Sequence, residues 1–486
     1  MKKEEAKMKN KWYKRALAIL MVSVMSVGLL AGCGSGGGEE EAASTGEVTP
    51  GSASGEFDWK AYEGSSLEIQ MVQHTASEAM VNKLEEFEEL TGIKVEYSIT
   101  PESSYFDKVS TSLASGSGSP DLFMSGAYQL WDYSAAGYVE DLDTFINDPS
   151  MIEPGYDYDD FVESAINALK WSGVPGDPVG VGQQLGIPLA FEVYTMAYNK
   201  NAFADNGLEV PRTYEELLDV CDKLQKWNGE NSYAVAVRGA RDWGTIHPAY
   251  MSMFAAFGAK DFAIENDRLV SQVNSKEAIE MTEFFVDMIK RGGSPAWSRY
   301  TWYDCGVDLG TGNAAMVLDA DNNPVHQNWE GASEEAGNIA FAPLPVAKEG
   351  DPQISNYWTW SIAMNSSSRN KGAAWYYIMY FTGKDFSKYA TIEGNSLDPA
   401  RTSVWESEEF TTLMERHEGY IEAYEATIEN TTILFTPQPY FFETTTEWAA
   451  TLQDIVAGQY SSTEEGLNQL KEKMDRAVED IDLSQY

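Results

Sequence analysis

The 486-residue sequence predicts an α/β protein of two lobes, each built from separated parts of the chain. Strand-like and helix-like runs alternate from about residue 65 to the C-terminus, the order that gives parallel sheets with helices on both faces. Beyond a low-complexity N-terminal stretch, no second linker and no internal repeat divides the rest. A length of roughly 430 residues nevertheless suggests two or three domains.

The first elements are the plainest. Leu67–Val72 (LEIQMV) reads as a strand. Glu78–Leu90 places Val81, Leu84, Phe87 and Leu90 at helical spacing, and Thr91-Gly92 stops that helix. Ile93–Ile99 is a second strand; then come a helix, the breaker Ser115–Pro120 and a buried strand, Asp121–Met124. Thr213–Trp227 is a helix opened by a Thr213/Glu216 capping box. Ser232–Val237 is a strand, Lys276–Lys290 a helix and Ala314–Leu318 a strand. Asn338–Ala342, Trp358–Met364 and the helix Lys371–Phe381 follow, and the tail is helical from about Thr444 with a break at Gly458.

The N-terminus predicts export. Residues 1–15 carry seven lysines and arginines, and an apolar run from Ala16 to Ala31 ends in Leu30-Ala31-Gly32-Cys33. A basic head, a short apolar core and small residues at a cut site form a signal peptide. A spanning helix would need about 20 apolar residues. The cysteine after Leu-Ala-Gly resembles the bacterial lipoprotein signal, which implies diacylglycerol on Cys33 and an anchor at the extracytoplasmic membrane face of a Gram-positive type of cell. Gly34 to about Gly55 is Gly, Ser, Ala, Thr and Glu, a flexible tether. The expected division is therefore a signal peptide at 1–32 and a lipidated cysteine with tether at 33–60.

Charge and cysteines narrow the classes. The chain carries −42, and residues 1–32 hold seven basic and two acidic groups, which puts the remainder at −47. Such a surface repels nucleic acid and anionic lipid and disfavours polyanionic ligands. Membrane contact is expected through the lipid alone, and the protein is expected to be a monomer. Cys221 and Cys305 could pair in an exported protein or stay as buried thiols. No zinc spacing exists, and neither metal nor cofactor is expected.

Six stretches together resemble the family 1 extracellular solute-binding proteins, which include the maltose-binding proteins. They are Phe87–Val95; Ser119–Phe123 with Ala136–Leu142; Gly186–Leu189 with Tyr198–Phe203 and Asn206–Leu217; Gly312–Met316 with Pro343–Pro345; Asn370–Trp375; and Asp398–Arg401. The resemblance covers about residues 65–480 and implies a type II periplasmic-binding-protein-like fold. Its two lobes would be 61–190 plus 361–403 and 191–360 plus 404–486. Crossings fall near Leu189–Tyr194, Asn356–Ala363 and Thr402–Phe410, where they can act as hinges. The implied ligand is a carbohydrate, expected to be an oligosaccharide, and the implied partners are the permease subunits of an ABC transporter.

A sugar site needs aromatic platforms and planar polar groups converging from strand ends. Trp358 and Trp360 lie on one face of a hinge-like strand. Glu192 stands at the first crossing, where maltose-binding relatives place a sugar-contacting glutamate, and Tyr194 shares its face by alternation. Gln73 and His74 follow the first strand, and Ser125 and Tyr128 the third, with the small Ser125-Gly126 letting a ligand approach the backbone. Trp243 follows the strand segment ending at Arg238. Asp319 follows the Ala-Ala-Met strand, and Asn395 and Arg401 lie at the third crossing.

Asp319, Asp321, Asn323 and Glu330 mimic a calcium loop, but the sixth position needs glycine for its sharp turn and here is Pro324. The rival readings are a binding protein for another small polar solute or a peptide, a surface adhesin or sensor on the same fold, and a glycoside-active enzyme. A glycosidase needs only two carboxylates. Against an enzyme stand the absence of His-Glu-x-x-His, Gly-x-Ser-x-Gly and P-loop motifs and the four scattered histidines.

Overall fold

The computed structural model describes residues 56–396 and 398–486; the signal peptide, Cys33 and most of the tether lie outside the described residues. Eight strands carry the architecture: β1 (Ser66–Val72), β2 (Lys94–Thr100), β3 (Leu122–Ser125), β4 (Ile187–Asn199), β5 (Tyr233–Ala236), β6 (Ala314–Ala320), β7 (Ile339–Ala342) and β8 (Tyr357–Met364). Their order is β2-β1-β3-β8-β4-β6-β5, with β7 also on β4.

The thirteen-residue β4 belongs to two groups of strands. Ile187–Val193 pairs with β8, whereas Tyr194–Asn199 pairs with β6 and β7. One continuous strand thus runs from one group to the other and changes neighbours between Val193 and Tyr194. Almost all of it is buried, as its run of apolar residues requires when both faces are covered.

β–α–β order correctly predicts parallel pairing of β1 with β2 and β3, and of β5 with β6. It does not predict that β8 runs antiparallel to both β3 and β4. That pairing begins at Tyr357 opposite Val193, so all of β8 lies with the first group. Further on, Pro399 bridges to Ala190 and Arg401 to Phe161. The helix Tyr420–Ile428 then packs on β4 and β7.

Local differences have local causes. The helix opened by Thr213 has its capping box but ends at Lys223, because Lys226 takes a left-handed φ of 60° and starts a turn. An unpredicted hairpin, Phe262–Glu265 with Arg268–Ser271, turns on Asn266 and Asp267, both at positive φ. The C-terminal helix starts at Phe441, three residues before the expected Thr444.

A buried acid pair, Asp321 and Asp398, lies against β4 where it changes neighbours. Phe191 N donates to Asp398 O, and Asp321 N donates to Val193 O. The Tyr420 hydroxyl lies 2.7 Å from Asp398 Oδ1 and 3.0 Å from Asp321 Oδ2. A phenol has one proton and satisfies only one carboxylate by donation, so a carboxyl proton must serve the other contact. Burial raises both acids, Asp321 to about 6 and Asp398 further. An acid raised in the folded state stabilises below its unfolded value, and that stability is lost as pH rises through its folded value. Asparagine tolerates the left-handed φ of 56° at position 398. Asp398→Asn is therefore expected to flatten the fall in stability between pH 4.5 and 8, by about 1–3 kcal/mol at the upper end. Urea melts of both proteins across that range check it; parallel pH profiles refute the shared proton.

Candidate functional site

A cavity lies where the ends of β1, β4, β6 and β8 converge. Val72 and Gln73 come from the end of β1 and Glu192 from the crossing strand; Asp319 and Ala320 come from the end of β6 and Trp358 and Trp360 from β8. Its volume is about 50 Å3. Trp358 stands opposite Glu192 in the β8–β4 register, which brings ring and carboxyl to the same wall.

The aromatic wall is already packed. Trp358 and Trp360 meet edge to face at 5.1 Å, Trp243 stacks on Trp358 at 5.3 Å, and Phe106 lies parallel to Trp360 at 6.2 Å. His74 tilts over Trp360 at 5.5 Å, while its Nδ1 accepts from Ala76 N and caps the helix Thr75–Thr91. Only 2% of Trp358 and 3% of Trp360 is exposed, so neither offers a broad open platform. Gly126 makes room for this packing: a Cβ there would collide with the Trp358 indole and Gln129 Oε1.

The polar wall centres on Arg238. Its Nε donates to Asp319 Oδ2 at 2.9 Å and its Nη2 to Asp319 Oδ1 at 2.7 Å, a two-pronged buried ion pair. Its Nη1 lies 3.1 Å from His247 Nε2. A guanidinium only donates, so His247 Nε2 accepts and Nδ1 carries the proton toward Tyr194 Oη, 2.7 Å away. Burial, reinforced by Arg238, holds His247 well below its ordinary pKa and hence neutral. Burial similarly lowers His74 to about 4. Glu192 accepts from Asn322 Nδ2 at 3.1 Å, and burial lifts its pKa to about 8 despite Arg238 nearby. The lining therefore holds one compensated ion pair, and burial favours the neutral forms of its other titratable groups, Glu192, Glu102, His74 and His247.

The structure separates the sequence-derived residues into three sets. Gln73, His74, Glu192, Asp319, Trp358 and Trp360 line the cavity, although both Asp319 oxygens already accept from Arg238. Trp243 and Asn395 line adjoining chambers. Ser125, Tyr128, Tyr194 and Arg401 are not in the lining. Ser125 is fully buried, with its hydroxyl on Gly126 O, and Gly126 accommodates an indole rather than a ligand. Tyr128 packs behind Trp358 and donates to Tyr357 O, and Tyr194 supports His247. Arg401 is buried elsewhere, donating to Thr382 O, Tyr156 O and Asp157 O under the Phe161 ring. Arginine's five donors suit such carbonyl-gathering work as well as ligand binding.

Sequence reasoning missed Arg238, Glu102 and Asn322, each of which follows the carboxyl end of a strand; that rule, applied to every strand, finds them. His247 and Trp302, also in the lining, carry no comparable signal. Cys221 and Cys305 are both buried and free. Cys221 packs against Gly292 instead, and burial pushes its thiol up to about 12.

Comparison with known proteins now places the chain. The family described as bacterial extracellular solute-binding protein matches residues 72–387. The protein belongs to that family. It is thus a receptor and not an enzyme. The erythritol/L-threitol-binding protein of Mycolicibacterium smegmatis is 37% identical over 444 residues, covering 91% of each chain. The mannitol-binding protein of Pseudomonas aeruginosa is 24% identical over 300 residues, 61% of this chain and 64% of its own. In fold, the Agrobacterium vitis ABC transporter solute-binding protein with bound D-mannitol matches with a TM-score of 0.71 at 22% identity, over 85% of this chain and 98% of that one. Maltose-bound MalE3 of T. maritima gives 0.71 at 19% identity, over 85% and 99%. The α/β periplasmic-binding-protein fold follows directly.

A solute that contacts Glu192 would meet a carboxyl whose ionisation varies with pH. A solute closing over the carboxyl removes its remaining water and favours the neutral form. Wild-type affinity is expected to fall above pH 8, by up to about tenfold per unit. Glu192→Gln, which mimics the acid, should bind with no inflection there. Calorimetric titrations from pH 6 to 9.5 check this, and coincident profiles refute it.

Proposed function

We propose that this protein captures a small neutral polyol, of the size of a four-carbon sugar alcohol, and presents it to the permease of an ABC importer. One observation carries the reading: the buried polar wall favours an uncharged solute. Arg238 is compensated by Asp319, and burial favours the neutral forms of Glu192, Glu102, His74 and His247. An ionic solute would leave an uncompensated buried charge. A chain of hydroxyls instead finds donors and acceptors on one side and ring edges for its C–H groups on the other.

The relative that covers most of this chain is described as binding erythritol and L-threitol, and others as binding mannitol or multiple sugars, which supports the same class. The oligosaccharide expected from the sequence gives way to a shorter ligand, because the tryptophans offer little free face and the cavity is small. A thermal-shift screen with erythritol, threitol, ribitol, mannitol and maltose tests the reading. The matching polyol at 100 times its Kd should stabilise by about 2.7 kcal/mol. Stabilisation by a charged amino acid or peptide, with none by any polyol, overturns it.

We also propose that the receptor is held at the outer membrane face by diacylglycerol on Cys33. Seven basic residues, a short apolar run and Leu-Ala-Gly ahead of the cysteine support this. Radiolabelled palmitate should enter the wild type and not Cys33→Ser; equal incorporation refutes it.

A further inference from the structure

The ligand cavity does not stand alone in the cleft. Beside it lie two chambers, one bordered by Thr75, Glu78, His326 and Asn395, the other by Phe106, Asp242, Trp243 and Phe442. Their volumes are about 270 and 740 Å3 against about 50 Å3 for the inner cavity. Trp302 borders all three spaces.

That indole is carefully placed. It opens the helix Trp302–Gly310, whose start is fixed by the Asp304 carboxylate accepting from Thr301 N and Thr301 Oγ1. Asn323 Nδ2 donates to Trp302 O at 2.7 Å, and Gly306 packs so close to the Asn323 amide that a Cβ would collide with it. With its backbone pinned, the side chain reaches across the cleft, where Nε1 donates to Glu102 Oε2 at 2.9 Å. Glu102 begins the helix that follows β2, on the opposite side. Trp302 is nonetheless 38% exposed and its neighbour Tyr303 60%, too much for residues serving a core. An exposed tryptophan held from both ends between chambers acts as a wall.

We infer that Trp302, hydrogen-bonded to Glu102, is a partition that closes the ligand cavity and sets the longest ligand it accepts, the outer chambers being latent space for longer hydroxylated chains. The size limit rests on the polyol reading; the partition itself does not. Loss of the indole would join the three spaces into one groove along which a hexitol or a disaccharide could extend, with Asp242, Asn395 and Tyr303 in reach of its hydroxyls and ring faces.

The test is calorimetric binding of erythritol, ribitol, mannitol and maltose to the full chain and to Trp302→Ala and Trp302→Phe, with a crystal structure of the alanine variant. The wild type should favour the four-carbon ligand over maltose by at least 100-fold. Trp302→Ala should narrow that ratio at least tenfold by gaining affinity for the longer ligands, whereas Trp302→Phe, which keeps a ring in the wall, should preserve most of it. A folded alanine variant with unchanged length preference overturns the inference, as does a structure in which the inner cavity is still walled off. A wild type that binds none of these ligands refutes the polyol reading, while the crystal structure still decides the partition.

Discussion

Asp319→Ala is expected to lower stability by about 3–5 kcal/mol and to abolish measurable solute binding. The carboxylate receives both prongs of Arg238 and is, like it, almost wholly buried. Its removal leaves a buried guanidinium without its two-pronged partner, facing only Glu192, Glu102 and Asp242, whose burial disfavours ionisation. The stranded charge must draw in water or pull Glu192 into ionisation, and either outcome dismantles the neutral polar wall. The double change Arg238→Met with Asp319→Leu removes both charges and should recover much of the stability without restoring binding. Urea denaturation and calorimetry of the three proteins together test this. An alanine variant as stable as the wild type would show that the pair is not the centre of the site.

Trp358→Ala is expected to cost about 3–5 kcal/mol of stability, as large-to-small changes at buried aromatics do. It should also weaken solute binding more than tenfold. The indole touches Trp243, His247, Tyr128 and Trp360 at centroid distances of 5.1–5.5 Å, so its loss frees several rings at once. Trp358→Phe separates the two effects: it keeps an aromatic core and should melt close to the wild type, while any affinity it loses reports the missing indole edge. If Trp358→Ala binds the solute as tightly as the wild type, Trp358 belongs to the core alone. Gly126→Ala gives an independent check, since its added methyl must push the same indole aside.

The cleft behaves as two kinds of surface. Its inner walls are preorganised by contacts made within the protein: Arg238 by Asp319, His247 by Tyr194 and Arg238, and Trp358 by Trp243. Across the mouth, by contrast, the hydrogen bond from Trp302 to Glu102 joins partly open groups. A solute that bridges the two sides shifts the balance toward closure only by its preference for the closed form. Preorganised walls leave more of the contact energy for that preference.

Much of the fold and part of the site were legible in the residues themselves. Alternation and helical spacing located β1, β2, β6 and β8 and the helices Thr75–Thr91 and Lys276–Gly292 to within a few residues, because these signals are local. The capping box at Thr213 was legible for the same reason. Strand-end position singled out Gln73, His74, Asp319 and, through the resemblance, Glu192, all in the cavity lining.

Tertiary structure decided the rest. Pairing of β8 with β4 joins residues some 165 positions apart, and a strand's own sequence does not say whether its neighbour runs with or against it. The same long-range contacts turned Arg401 and Tyr194 inward to serve carbonyls and an imidazole, and brought Trp302 against Glu102, 200 residues away. Which polar residue faces the solute and which holds the wall depends on where its donors find acceptors, and that is fixed only when distant segments meet.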